Sequence, residues 1–122
     1  MPRVIHFEIP ADQPERAAKF YGDVFGWSFQ KWEGPMEYWL VSTGEEGQPG
    51  INGGLMRRSQ ESPAVVNTID VPSVDDYVAK IERSGGKVVA PKIAIPGVGY
   101  MAYAVDPDGN SFGIMQNDPS AA

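Results

Sequence analysis

The chain has no cysteine, a single histidine and no apolar run long enough to cross a membrane. Without cysteine there are no disulfides, no thiolate metal ligands and no cysteine nucleophile, which fits a reducing compartment. Positive charge is scarce as well. Ten Lys and Arg against 16 Asp and Glu leave a net charge of −6, which repels phosphate backbones and anionic lipid surfaces. No nucleic acid or membrane partner is expected. Met1-Pro2-Arg3 leads directly into a strand pattern without an apolar signal segment, so the expected location is the cytoplasm.

What is present suits one soluble domain over residues 1–122. A chain of this length buries roughly two thirds of the surface it would expose unfolded, so it needs no staple. With 14 glycines and 11 prolines, the elements should be short and joined by tight turns.

The stretch Val4-Ile5-His6-Phe7-Glu8-Ile9 reads as a β-strand. Alternation puts Ile5, Phe7 and Ile9 on one face and Val4, His6 and Glu8 on the other, so one face is apolar and one carries chemistry. Asp12 with Glu15 three residues later predicts a helix cap, and Pro14 suits the first turn. Ala17, Phe20 or Tyr21, and Val24 then form a helical stripe, which Phe25-Gly26-Trp27 stops. Three strands are predicted next: Trp27–Trp32, Tyr38–Ser42 and Ile51–Met56. The last is glycine-rich, which suggests a bend or the close approach of another group. Residues 57–63 read as a linker, and Arg57-Arg58 as solvated charge.

The same grammar then repeats. Val65–Val71 is a strand, Ser73 with Asp76 repeats the cap, and Val74, Tyr77, Val78 and Ile81 make a stripe ended by Gly85-Gly86. Strands over Lys87–Ala90, Tyr100–Val105 and Ser111–Gln116 follow, the last two joined by the turn Asp106-Pro107-Asp108-Gly109. A shift of 60 residues lays Ile9 on Ile69, Gly26 on Gly86 and Gly53 on Gly113. The expected fold is therefore α+β, two tandem β-α-β-β-β modules over about 1–58 and 63–118 that form a concave cleft. On that reading His6 and Glu8 line the cleft from one module, Val66 and Thr68 from the other.

These residues resemble the vicinal oxygen chelate superfamily, which includes glyoxalase I, bleomycin resistance proteins and extradiol dioxygenases. The resemblance rests on His6 in the first strand, Phe20-Tyr21 followed by Phe25-Gly26-Trp27, the Gly85-Gly86 helix end, and Asp106-Pro107-Asp108-Gly109-Asn110 before the last strand. It is nearest to short glyoxalase-like proteins with a His-Phe-Glu-Ile start and an Asn-Gly-Gly-Leu-Met fourth strand. Members that do metal chemistry draw ligands from the first and fourth strands of each half. Carried over, those positions are His6, Gly53, Val66 and Gly113. Only His6 has a donor atom, whereas a catalytic divalent ion needs about three protein ligands. Metal-dependent glyoxalase I activity is therefore disfavoured, and no cofactor is expected.

The resulting expectation is a receptor for a small organic molecule, with His6, Glu8 and Thr68 as ligand-binding residues. The alternative is a lyase or isomerase that uses His6 and Glu8 as acid-base groups, or an atypical divalent metal site. Trp27, Trp32, Tyr38, Trp39, Tyr100 and Tyr103 could stack on a planar ligand or simply fill a core. A bulge near any Gly or Pro would reverse their faces, so alternation alone does not assign them. The resemblance also implies a homodimer.

Overall fold

The computed structural model describes residues 1–60 and 63–122; the linker expected over 57–63 lies partly outside them. The order β-α-β-β-β occurs twice, giving an α+β fold. The chain divides into two units, one of His6–Val65 and one of Met1–Ile5 with Val66–Ala122. The first five residues join the second unit because the Arg3 N–H donates to Asp70 Oδ1 (2.7 Å) and the Asp70 N–H to the Arg3 carbonyl (2.9 Å). No helix among the described residues is long and apolar enough to cross a membrane.

The first unit uses β1 (Val4–Ala11), α1 (Pro14–Phe25), β2 (Ser28–Lys31), β3 (Trp39–Ser42) and β4 (Gly53–Arg57). Its strands lie in the order β2-β3-β4-β1, with β1 parallel to β4 and the other pairs antiparallel. Ala11, Val41 and Leu55 form the buried centre. Phe7, Ile9, Ala17, Ala18, Trp27, Phe29 and Trp39 pack around it, so the Phe7/Ile9 face of β1 is the one covered by the helix. Burial of a side chain such as Leu55, which is wholly inaccessible, stabilises the unit by roughly 1.5–3 kcal/mol. The stripe of α1 is narrower than its spacing suggests. Ala17, Ala18 and Tyr21 face inward or onto Trp27, while Phe20 and Val24 stay exposed.

The helix also starts one residue later than its capping pattern predicts. Gln13 is the N-cap and makes no side-chain cap bond, because the Asp12 carboxylate pairs with Arg58 at 2.9 Å. Arg57 and Arg58 are accordingly tethers more than free charge. Arg57 reaches Glu37 (3.0 Å) and the Asp12 carbonyl, and Arg58 reaches Asp12 and the Pro63 carbonyl, clasping the ends of β1 and β4 together. Gly26 ends the helix with φ 74°, a left-handed conformation that favours glycine.

The second unit repeats the plan with β5 (Val66–Asp70), α2 (Val74–Arg83), β6 (Lys87–Ile95), β7 (Gly99–Val105) and β8 (Ser111–Asn117), in the order β5-β8-β7-β6. Here the cap is as read: Ser73 Oγ accepts from the Asp76 N–H at 3.2 Å. The stripe of Tyr77, Val78 and Ile81 packs on Val71, Val74, Ala102 and Ile114. One strand is longer than expected. β6 continues past Pro91 to Ile95, because the missing proline N–H falls where the pairing with β7 is irregular, between Ala90 and Ile93. The 106–110 turn closes on Asp106, whose carboxylate accepts from the N–H groups of Asp108 and Asn110 and from the Asn110 side chain. Those bonds, Asn110 foremost, hold the Asp106 carboxyl below its ordinary range.

Candidate ligand-binding site

β1 carries its chemistry on the face away from α1. His6 is half-buried and Glu8 only 4% exposed. What joins them is Tyr38, just before β3. Its hydroxyl lies 2.7 Å from His6 Nε2 and donates to Glu8 Oε2 at 2.9 Å. The hydroxyl has one proton, and a carboxylate can only accept. With that proton on Glu8, Nε2 is the nitrogen that carries hydrogen, and in the neutral ring Nδ1 is an open acceptor.

The tyrosine reaches this place because β4 has glycine where the hydroxyl must lie. Glu8 pairs with Gly54, and any side chain at 54 would collide with the Tyr38 hydroxyl. The close approach signalled by the Gly53-Gly54 doublet is therefore tyrosine on one face. On the other face it is Phe7, whose ring a side chain at 53 would meet. Trp32 packs edge-on against Tyr38 at 6.2 Å between centroids, which steadies the ring.

This register corrects the superposition of the two halves. Glu8 pairs with Gly54 and Thr68 with Gly113, so the fourth-strand position that faces the His6 side is Gly54, and Gly53 belongs to the helix side. The halves run 60 apart on their first strands and 59 apart on their fourth. The left-handed glycines agree, Gly26 matching Gly85 (φ 93°) and not Gly86. One residue lost in the second helical segment reverses the face at every later position.

His6 also borders an open depression of about 540 Å³ on the same face of the first unit, with Ser28, Gln30, Leu40, Ser42 and Asn52 around it. Glu8 lies outside this lining and acts on His6 through Tyr38, so it positions more than it touches. Two effects compete on the imidazole. Burial disfavours its charged form and the Glu8 carboxylate favours it; burial is the larger, so the His6 pKa falls below its ordinary value of 6.5.

Thr68 lies in the second unit, 2% exposed, and its Oγ1 has no hydrogen-bond partner among the described residues. It is not part of the depression beside His6. The aromatic residues divide. Trp27 stacks on Tyr21 at 5.1 Å and Trp39 packs in the first core, while Tyr100 packs on the second. Tyr38 and Trp32 are the two that join the polar face, and Tyr103 borders Gly113. Composition could not single out Tyr38. The signal was the second glycine of the doublet, in a strand expected to face the histidine.

Comparison with known proteins agrees with this architecture. Residues 3–44 match the family described as bleomycin resistance protein-like N-terminal. A glyoxylase-like domain-containing protein of Didymella fabae is 34% identical over 116 residues, which cover 88% of each chain. Among solved structures, hypothetical protein BH1468 from Bacillus halodurans C-125 superposes with a TM-score of 0.72 at 14% identity, over 98% of this chain and 97% of that one. Methylmalonyl-CoA epimerase from Mycobacterium tuberculosis superposes with a TM-score of 0.68 at 12% identity, over 95% and 88%. The structural likenesses establish the fold, and the sequence likeness establishes kinship. The chain belongs to the vicinal oxygen chelate superfamily as a glyoxalase-like member.

Proposed function

We propose that the chain is a receptor for a small organic molecule, which it holds on the helix-free face of the first unit without a divalent metal. The observation that carries this reading is the chain His6–Tyr38–Glu8 at the edge of the depression. It presents one oriented imidazole acceptor in a recess lined by neutral hydrogen-bonding and apolar groups, the usual make-up of a small-molecule site.

The residues present do not fit the ion that metal-using relatives employ. Gly54 brings no donor, its side-chain space is taken by the Tyr38 hydroxyl, and that hydroxyl engages His6 and Glu8 instead. Among the described residues no three His, Cys, Asp or Glu side chains gather as a metal-holding group. Equilibrium dialysis against zinc, nickel and manganese should leave the protein well below one ion per chain; stoichiometric binding lost in His6→Ala would overturn the metal-free part of the reading.

The binding part is tested by a fragment screen followed by ligand-observed NMR. Hits should weaken by about tenfold in His6→Ala, the loss of roughly one well-placed hydrogen bond. Affinities unchanged in that variant would move the site elsewhere. A second reading, a lyase or isomerase, is favoured by one observation: the half-buried imidazole stands at the edge of the depression with Nε2, not Nδ1, engaged by Tyr38. Deuterium uptake from solvent into a bound ketone, absent with His6→Ala, would establish it. The superfamily likeness further implies a homodimer. A single-chain mass by light scattering would remove the dimer.

A further inference from the structure

We propose that the depression beside His6 selects uncharged molecules bearing a weakly acidic hydroxyl, such as phenols or enols, and discriminates against carboxylates and phosphates. This rests on the receptor reading above and names the ligand class for the same site. The first ground is the lining. Ser28, Gln30, Ser42 and Asn52 supply hydrogen-bond donors and acceptors, Leu40 adds apolar surface, and no Lys or Arg borders the recess among the described residues. Tight binding of a carboxylate or phosphate in such a site calls for a cationic partner, and none borders the recess among the described residues.

The second ground is that cations of the first unit are engaged elsewhere. Lys31 lies 5.4 Å from the centroid of Trp39, Arg57 is paired with Glu37, Arg58 with Asp12 and Lys19 with Asp23. Glu8, buried behind Tyr38, adds a negative charge that opposes any anion next to His6. The third ground is the tautomer. Nε2 donates to the Tyr38 oxygen and the tyrosine proton goes to Glu8, so Nδ1 is an acceptor waiting for a donor. An acidic O–H is the neutral donor that matches it best. As its proton is drawn toward Nδ1, the growing charge on the ring is stabilised through the hydroxyl by the carboxylate.

Three probes on one ring frame test this: 4-cyanophenol, 4-cyanoanisole and 4-cyanobenzoate, each titrated into the full chain at pH 7.5 by calorimetry and by backbone amide NMR. The phenol should bind about tenfold more tightly than the anisole, which lacks the donor, and the benzoate no more tightly than the anisole. In Tyr38→Phe, which keeps the ring but cuts the relay, the preference for phenol over anisole should shrink toward unity. Equal binding of phenol and anisole, or tighter binding of benzoate, with shifts at Leu40 and Asn52 would overturn the ligand class and leave the receptor reading standing. Shifts at neither residue with any probe would overturn the receptor reading itself.

Discussion

The two units share an order of elements and a strand arrangement, yet the faces that their first strands turn away from the helices differ. In the first unit that face carries His6 and Glu8, bridged by Tyr38 over Gly54. The second has Val66 and Thr68 at the corresponding places, both buried, beside Gly113. Both glycines open space on this side. Gly54 gives it to a hydroxyl that would collide with any side chain, whereas a side chain at Gly113 would meet Tyr103 at 3.3 Å and Thr68 at 3.4 Å, tight but tolerable. The two units keep one frame, and the His6–Tyr38–Glu8 chain is found in the first of them.

The largest expected effect tests the shared frame. Leu55 and Ile114 hold equivalent fourth-strand positions at the centres of their cores, and Leu55→Ala and Ile114→Ala should each cost about 2–5 kcal/mol in urea denaturation. A loss below about 1 kcal/mol in either would break the equivalence. The two glycines should part ways next. Gly54→Ala should cost about 1–3 kcal/mol by overpacking and abolish the preference for phenol, whereas Gly113→Ala should cost less than about 1 kcal/mol. Equal costs would mean that Tyr38 can leave its place freely.

A smaller effect of opposite sign is expected at Thr68. Its hydroxyl is buried without a partner among the described residues, so Thr68→Val should be neutral or stabilising by up to about 1 kcal/mol. Clear destabilisation would show that this oxygen is bonded in solution. Glu8→Gln removes the influence that raises the His6 pKa, so the imidazole should titrate lower still, an effect read cleanly by NMR because it is the chain's only histidine.

The smallest effect is on stability itself. The folded His6 binds its proton less readily than the unfolded one, so between the two pKa values the unfolded chain holds more protons and stability rises with pH. The contribution is complete above 6.5, the unfolded value, and is lost as pH falls through the lower folded value. A His6→Gln chain should lack that increment; a wild-type stability that increased on acidification across this window would reverse the sign.

Much of the frame was legible because periodicity is a local signal. The strand at Val4–Ile9, both helices and the Asp106 turn all follow from spacing within a few residues. What was hidden depends on pairing. Asp12 looked like a cap until Arg58, 46 residues on, claimed its carboxylate. Pro91 looked like the end of a strand whose partner tolerates an irregular stretch. The same limit applied to the site: His6 and Glu8 were visible as a pair on one face, but Tyr38 lies 30 residues from Glu8 and is brought there only by the register of β3 on β4. A one-residue difference between the halves, invisible at low identity, put Gly53 where Gly54 belongs.

The account stands most directly on the state of one imidazole ring. Long-range ¹⁵N NMR of His6, with and without saturating 4-cyanophenol at pH 7.5, reads both nitrogens. The free protein should show a neutral ring with hydrogen on Nε2, and the phenol should shift Nδ1 as it accepts the new hydrogen bond. Hydrogen on Nδ1 in the free protein, or a ring unmoved while the phenol binds, would contradict it.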